Sequence, residues 1–230
     1  MIVLAGTIGA GKSSLTEMMA EHFDSQAFYE SIDDNEVLPL FYESIEDNEV
    51  LPLFYANPEQ YAFLLQIYFL NKRFESIKQA MKEDNNVLDR SIYEDSLLFH
   101  LNADLGRATE TEVRVYDELL ANMMEELPYA AHKKHPDLLV HIRVSFDTML
   151  ERIEKRGRSY EQLSFDPSLY DYYKELNRRY DQWYDEYNES PKIQIDGDRF
   201  NFVEDPQAKV EVLNMIEEKL AEIRQEVFVS

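Results

Sequence analysis

The chain has 230 residues, 44% of them hydrophobic and 13% aromatic, which suits one or two domains with a sizeable core and argues against disorder. Its 46 acidic and 23 basic residues give a net charge of −23, which excludes a protein that wraps nucleic acid, because phosphate contacts need a basic stripe. The absence of cysteine excludes disulfides, thiolate metal sites and cysteine nucleophiles. With no apolar run long enough for a membrane helix and no signal segment, we expect a cytoplasmic protein.

Hydrophobic patterning predicts strands that alternate with helices along the chain. Short apolar runs rich in Val, Ile and Leu indicate buried strands, and longer amphipathic stretches indicate helices. Such alternation is typical of an α/β fold with a parallel sheet, and no linker-like segment divides the chain. We therefore expect one domain over 1–230, with strands at 2–5, 27–30, 86–89, 137–144 and 192–196, and helices at 12–23, 58–82, 92–103, 109–127, 148–155, 167–187 and 206–227.

A tandem repeat occupies residues 28–53. Residues 28–40 and 41–53 are identical except that Asp33 of the first copy is replaced by Glu46 in the second. Two copies are too few for a solenoid, and the period matches no familiar repeat family. We interpret the repeat as a local duplication, one copy of which the fold accommodates as an insertion.

The segment after the first predicted strand matches the phosphate-loop pattern G-x-x-x-x-G-K-[ST]. In this pattern glycines let backbone N–H groups converge on phosphate oxygens at a helix N-terminus. Lys12 would reach the β- and γ-phosphates, and the Ser13 hydroxyl would bind Mg²⁺. The pattern predicts nucleoside triphosphate binding by Gly6, Thr7, Ile8, Gly9, Ala10, Gly11, Lys12, Ser13 and Ser14.

Acidic residues stand at the ends of two other predicted strands, and phosphoryl transfer needs groups at such carboxyl ends of a parallel sheet. They are the Glu of Phe-Tyr-Glu-Ser and Asp89 of Asp-Arg-Ser. Here the chain resembles the deoxynucleoside kinase family, most closely its bacterial deoxyadenosine/deoxyguanosine kinases. The resemblance covers nearly the whole chain and rests on the phosphate loop, FYES-x-x-DNEVLPLFY, YAFLLQIYFLNKRF (61–74), NVLDRSIYED (86–95), KRGRSYEQ (155–162) and IDGD (195–198).

The resemblance implies which residues act on the reacting groups. The Glu of FYES, which is Glu30 or Glu43 here, would be the general base on the substrate 5′-hydroxyl. Asp89 would lie near Mg²⁺ and that hydroxyl, and some descriptions of the family place the base at this position. Arg90 would bind the 5′-oxygen and the transferring phosphoryl group, and Ser13 with Asp89 would be the metal ligands.

The resemblance also implies how the nucleoside base is read. Gln66 would face the base, since an amide offers one donor and one acceptor group. Arg73 and Asp95 would form a charged pair that completes base selection. Residues 196–199 would surround the adenine of the donor nucleotide.

Sugar and phosphate contacts are implied in the same way. Tyr55, with Tyr42 of the repeat as the alternative, and Glu161 would hold the 3′-hydroxyl. A lid-like segment at about 152–162 would clamp the phosphates through Arg152, Arg156 and Arg158, as arginine fingers do.

The repeat leaves two candidates for the base. If Glu30 is the base, residues 31–43 extend the loop that follows the second strand. If Glu43 is the base, the second strand becomes 40–43, and the extra residues lengthen the loop before it. Short helix-to-strand loops favour Glu30, whereas intact spacing downstream favours Glu43. We lean towards Glu43, because insertions far from the chemistry are better tolerated.

These observations predict a P-loop NTPase-type kinase with a five-stranded parallel sheet flanked by helices, similar to thymidylate-kinase-like folds. The expected reaction is ATP-dependent phosphorylation of the 5′-hydroxyl of a deoxynucleoside, with a purine preferred, in nucleotide salvage. The alternatives are a nucleoside monophosphate kinase or a nucleotide-binding subunit impaired by the repeat. The resemblance implies a homodimer, or a heterodimer with a related kinase subunit, and neither nucleic acid nor a membrane is an expected partner.

Overall fold

The protein is built on a five-stranded parallel sheet, as the sequence predicts. The structure, a computed structural model, describes residues 1–29, 49–130, 135–158 and 161–229. The strands lie in the order β2-β3-β1-β4-β5. Their bounds are β1 Ile2–Gly6, β2 Ala27–Phe28, β3 Val87–Asp89, β4 Leu138–Arg143 and β5 Lys192–Asp196.

The central strands are apolar because both faces of the sheet are covered. Every residue of β1 and β3 is buried, which explains the continuous Ile, Val and Leu runs in place of an alternating pattern. In the register, Leu4 of β1 lies beside Asp89 of β3, and Gly6 lies beside Ile142 of β4. The end of β1 therefore meets the ends of β3 and β4 at one edge.

Eight helices in the described residues complete the fold. Asn57 and Pro58 begin the longest helix of the second unit, and the Asn57 Oδ1 accepts from the Gln60 N–H at 3.3 Å. Ser145 caps a later helix by accepting from the Thr148 N–H at 3.2 Å. The helices are α1 Lys12–Phe23, α2 Leu51–Ala56, α3 Pro58–Ala80, α4 Ile92–Asp104, α5 Glu110–Ala130, α6 Phe146–Arg156, α7 Leu169–Glu186 and α8 Pro206–Val229.

The backbone divides into two compact units. The first contains Met1–Ala27, Asn85–Asp89 and His135–Ser230, with strands β1, β3, β4 and β5 and helices α1, α6, α7 and α8. The second contains Phe28–Asp84 and Arg90–Lys134, with helices α2 to α5. That residues 1–230 form one kinase domain remains a prediction. That residues 152–162 form a lid-like segment also remains a prediction. None of the helices in the described ranges has the length and apolar content needed to cross a membrane.

The observed elements match the predicted ones to within three residues at each end. The exception is α2, which the sequence does not predict because it starts inside the second copy of the repeat. Strand β2 is formed by Ala27–Phe28, at the start of the first copy. Its predicted end at residue 30 lies outside the described residues.

A buried histidine lies on strand β4, next to the edge strand β5. The His141 side chain of β4 is packed between aromatic rings, with ring centroids 4.9 Å from Tyr184 and 6.1 Å from Tyr180. The Gln194 amide donates to its Nδ1 at 3.1 Å. Burial disfavours the cation and lowers the pKa of His141 from 6.5 to about 4. The folded protein therefore holds this imidazole neutral.

This burial predicts a pH dependence of stability. Between pH 6.5 and pH 4 the unfolded chain binds a proton at His141 that the folded chain does not, so acidification lowers the free energy of unfolding. The loss is complete near pH 4 and amounts to about 3 kcal/mol. His141→Gln cannot titrate, so denaturant unfolding at pH 7.5 and pH 4.5 should show a smaller loss than in the parent. An equal loss in both proteins would contradict this interpretation.

Candidate active site

The phosphate loop is packed so closely that two of its positions require glycine. Gly6 has φ +153°, and a Cβ there would lie 2.8 Å from the carbonyl oxygen of Ile142. Gly11 has φ +98°, and a Cβ there would lie 3.1 Å from the Phe202 ring. Residues with side chains rarely adopt such φ values, and a Cβ would clash at Gly6 and crowd the Phe202 ring at Gly11. The loop is thereby fixed between β1 and α1, with the N-terminus of α1 at Lys12.

Lys12 and Ser13 extend from this loop in the first unit. The buried Lys12 ammonium donates to the carbonyl oxygens of Gly6 at 2.9 Å and Thr7 at 3.2 Å. The Ser13 hydroxyl donates to Asp89 Oδ2 at 2.6 Å. The sheet explains this contact, because Asp89 ends the strand beside β1. The structure thus brings together the two predicted metal ligands.

The donor set at Ser13 and Asp89 is suited to Mg²⁺. Both supply hard oxygen atoms, and Mg²⁺ is commonly held by one or two carboxylates together with waters and substrate phosphates. Within the described part of the chain, no group of three or more acidic or histidine side chains could hold a metal by itself. The residues present therefore fit a Mg²⁺ that arrives with a nucleotide.

Arg152 bridges the phosphate loop and the loop after β5. Its Nη1 donates to the Ala10 carbonyl at 3.0 Å, and its Nη2 donates to the Gly197 carbonyl at 2.7 Å. The predicted phosphate clamp is therefore, in this structure, a guanidinium bound to two backbone segments. A planar fork of fixed donors suits such bridging.

Asp198 ties the loop after β5 to the start of α6. Its carboxylate accepts from the Ser145 N–H at 3.0 Å, at the N-terminus of α6. Burial alone would raise the pKa of Asp198, but hydrogen bonds from Thr148 and Ser145 and the nearby Arg152 charge lower the pKa below its usual range. An anionic Asp198 therefore stabilises the loop at 196–199, which is predicted to surround the adenine of the donor nucleotide, and the helix that carries Arg152.

The remaining arginines of the predicted lid share one carboxylate. Glu161 is 9% exposed and accepts from Arg156 Nη2 and, at 3.4 Å, from Arg158 Nη1. The Tyr173 hydroxyl of α7 donates to the Glu161 carbonyl at 3.0 Å, which fixes the backbone there. The structure thus joins a residue predicted to hold the sugar with two predicted to hold phosphate.

The predicted base-selecting residues lie together in the second unit. Arg73 of α3 donates through Nε to Asp95 Oδ2 of α4 at 3.0 Å, and both side chains are at most 5% exposed. Gln66 lies two turns before Arg73 on α3 and is also buried. A buried ion pair on two packed helices keeps a fixed geometry, as base discrimination requires.

Arg90 connects β3 to α4 in a strained conformation. Its φ of +75° is in the left-handed region, which is uncommon for a residue with a side chain. The next residue, Ser91, begins α4 with a capping box: Ser91 Oγ accepts from the Tyr93 N–H, and Glu94 accepts from the Ser91 N–H at 2.7 Å. The cap holds the turn, so Arg90 keeps a conformation that an isolated peptide would avoid.

Tyr116 of α5 is a residue that sequence reasoning missed. Its side chain is fully buried, and its ring lies 4.9 Å from the Phe99 ring of α4. Its hydroxyl has no hydrogen-bond partner in the described part of the chain. Nothing in the sequence marks it, because one tyrosine on an amphipathic helix is typical of core packing.

Several predicted site residues lie outside the described structure. Glu30, Tyr42 and Glu43 belong to residues 30–48, so their predicted roles stay predictions. Tyr55 has its backbone in α2, but its side chain is also outside the description. The choice between Glu30 and Glu43 as the general base therefore depends on the position of strand β2 and on experiment.

Comparison with known proteins assigns the family. The family model described as Deoxynucleoside kinase matches residues 2–221. The chain belongs to the deoxynucleoside kinase family. The kinase is accordingly a phosphotransferase, and both the predicted family and the predicted enzyme class are confirmed.

The kinase is similar to proteins from several bacteria. It is 59% identical over 223 residues to a deoxyguanosine kinase of Lactobacillus johnsonii, covering 97% of this chain and 93% of the relative. It is 54% identical over 223 residues to a deoxyadenosine kinase of Lactobacillus acidophilus, covering 97% of each. The solved structure of deoxyadenosine kinase from M. mycoides with bound dATP matches with a TM-score of 0.69 and 27% identity, covering 94% of this chain and 98% of that one.

The bridge made by Arg152 yields a test. Arg152→Lys keeps the charge but cannot span the Ala10 and Gly197 carbonyls, and the loss of these partly buried hydrogen bonds should cost about 1 kcal/mol of stability. We expect a lower melting temperature and a raised KM for the nucleotide donor, with the KM for the deoxynucleoside nearly unchanged. Arg178→Lys is the control, because Arg178 makes an exposed pair with Glu175 that should contribute little. Parent-like values for Arg152→Lys would contradict a bridging role.

Proposed function

We propose that this kinase transfers the γ-phosphoryl group of ATP to the 5′-hydroxyl of a purine deoxynucleoside, with Mg²⁺ as cofactor. The observation that carries the proposal is the phosphate loop with its Ser13–Asp89 contact of 2.6 Å at the edge where β1 and β3 end. The same chain carries a buried Arg73–Asp95 pair of the kind that reads a base edge. These parts match the two needs of the reaction, donor phosphate binding and acceptor recognition.

The proposed reaction moves one phosphoryl group and one proton. The 5′-oxygen forms a bond to the γ-phosphorus, the bond from that phosphorus to the β-phosphate oxygen breaks, and the 5′-hydroxyl proton passes to a carboxylate. Lys12 and Arg90 stabilise the negative charge that spreads over the transferring group. Ser13 and Asp89 would hold the Mg²⁺, which when bound would supply positive charge to the donor phosphates.

A purine preference is supported by relatives and by side-chain chemistry. The similar Lactobacillus proteins are named deoxyguanosine and deoxyadenosine kinases. Gln66 offers one donor and one acceptor group, Arg73 offers donors, and Asp95 offers acceptors. Purine edges present mixed donors and acceptors of this kind. A nucleoside monophosphate kinase is not favoured, since the relatives act on nucleosides by name.

Glu30 is proposed as the general base in place of Glu43. Strand β2 is formed by Ala27–Phe28, so the second strand of the sheet ends at the first residue of the first copy. Glu30 comes two positions after that strand in the sequence, where an acid at the carboxyl edge of a parallel sheet is expected. This support reverses the preference for Glu43 that the sequence alone suggests.

Glu161 couples the two substrates in this proposal. Its carboxylate is engaged by Arg156 and Arg158, yet the proposed roles assign the arginines to phosphate and Glu161 to the sugar 3′-hydroxyl. Donor phosphates that draw the arginines away would release Glu161 for the deoxynucleoside. Binding of the donor should therefore favour binding of the acceptor, and by linkage the reverse holds equally.

The cytoplasmic location and the dimer remain predictions.

Removal of the Lys12 charge tests the donor site. Lys12→Ala should lower turnover of ATP with deoxyadenosine or deoxyguanosine by about 10²–10⁴-fold, because the transferring phosphoryl group loses a stabilising cation. Lys219→Ala is the matched control, since Lys219 lies on α8 and pairs with Glu222 at 3.0 Å. Circular dichroism should show both variants folded. Near-parent turnover in Lys12→Ala would contradict the proposed function.

The two copies of the repeat can be distinguished by point variants. A base must lie within hydrogen-bonding reach of the proton it takes, so Glu30→Gln and Glu43→Gln should be unequal. We expect Glu30→Gln to lose about 10²-fold or more in kcat with its fold intact, and Glu43→Gln to be nearly silent.

A deletion supplies the complementary measurement. Removal of residues 41–53 joins the first copy to Phe54 and leaves a single FYES segment, so this variant should stay active. Equal damage in the two point variants would contradict a single functional copy. An inactive deletion variant would mean that the second copy has become part of the fold.

A further inference from the structure

The hydroxyl group of Tyr116 is in an unfavourable position for a purely structural side chain. It is completely buried in the second unit, and it makes no hydrogen bond within the described residues. A buried hydroxyl without a partner opposes folding, and a phenylalanine of the same shape would avoid that loss. A group of this kind is expected to have a partner in another state of the protein.

The neighbours of Tyr116 indicate in which state its hydroxyl would have a partner. Its ring lies against Phe99, which is one helical turn after Asp95 on the same face of α4. Asp95 in turn holds Arg73 at 3.0 Å. Burial, then the charge of Asp95, raise the pKa of Tyr116 well above its usual value, while Arg73 opposes them. Tyr116 therefore remains an O–H donor at neutral pH, beside the Arg73–Asp95 pair.

We propose that Tyr116 is a positioning residue for base selection, whose hydroxyl supports the Asp95 carboxylate when Arg73 turns donors towards a purine. The inference rests on the proposed function and deepens it. The phenol need not touch the substrate to act in this way. It acts through Asp95, either directly after a small side-chain rotation or through one bound water molecule.

The chemistry of the pair explains why such support is needed. A carboxylate in a dry site loses much of its stabilisation when a guanidinium donor is withdrawn. Guanine presents two acceptors, O6 and N7, on the edge where adenine presents one acceptor and one donor. Guanine therefore draws more donors from Arg73 than adenine does. Support from Tyr116 should favour deoxyguanosine over deoxyadenosine.

The test is Tyr116→Phe, assayed with both purine deoxynucleosides in the full-length enzyme. We expect the ratio of kcat/KM for deoxyguanosine to that for deoxyadenosine to fall about tenfold, mainly through a higher KM for deoxyguanosine. The melting temperature of the ligand-free variant should be equal to or above that of the parent, because an unpaired hydroxyl is removed. Both changes together are the expected result.

Two further variants control the experiment. Tyr187→Phe removes a buried hydroxyl that is bonded to Ser190 Oγ at 2.9 Å in the first unit, so it should lower the melting temperature without altering the ratio. Tyr116→Phe made in an Asp95→Asn background should have a much smaller effect on the ratio than in the parent, because its route through the carboxylate is gone.

Each outcome has a distinct meaning. A parent enzyme that phosphorylates neither deoxynucleoside would overturn the proposed function and the inference with it. An active parent with an unchanged ratio in Tyr116→Phe would overturn only the inference. A lower melting temperature with an unchanged ratio would show that the hydroxyl is structural.

Discussion

Close contact at Gly6 and Gly11 is the constraint on which the donor site depends. A Cβ at Gly6 would lie 2.8 Å from the Ile142 carbonyl, so the loop is held directly against strand β4. That contact fixes where α1 begins, and the start of α1 fixes Lys12 and Ser13. Ser13 can reach Asp89 at 2.6 Å because β1 and β3 are adjacent in register. Packing of the sheet thus positions Lys12, Ser13 and Asp89, the residues predicted to bind the donor nucleotide, before any ligand binds.

A chain with a net charge of −23 can bind an anionic nucleotide only where several cations lie close together. In the described structure, three cations of the predicted donor site each have oxygen partners. Lys12 binds loop carbonyls, Arg152 binds the carbonyls of Ala10 and Gly197, and Arg156 binds Glu161. A local positive site on an acidic body can attract nucleotides while the rest of the surface repels larger polyanions.

The sequence predicts most of the fold because local signals and long-range packing agree. The apolar run at Ile2–Gly6, the cap at Asn57 with Pro58, and the glycine pattern each point to one conformation. Contacts between distant segments carry no such signal. The Arg152 bridge joins residues about 45 and 142 positions away, and the burial of Tyr116 depends on how α5 packs against α4. The sequence cannot show which copy of the repeat supplies the general base, because the two copies are almost identical.

Three groups with unfavourable local energies lie in segments that carry the proposed chemistry. Arg90 has a left-handed backbone between a strand end and a capped helix, and Tyr116 buries an unpaired hydroxyl beside an ion pair. The buried hydroxyl of Thr7, within the phosphate loop, also lacks a partner in the described residues. Each would be easy to improve for stability alone, by glycine, phenylalanine or valine. In the proposed function, substrate atoms or water would supply the partners that the two hydroxyls lack.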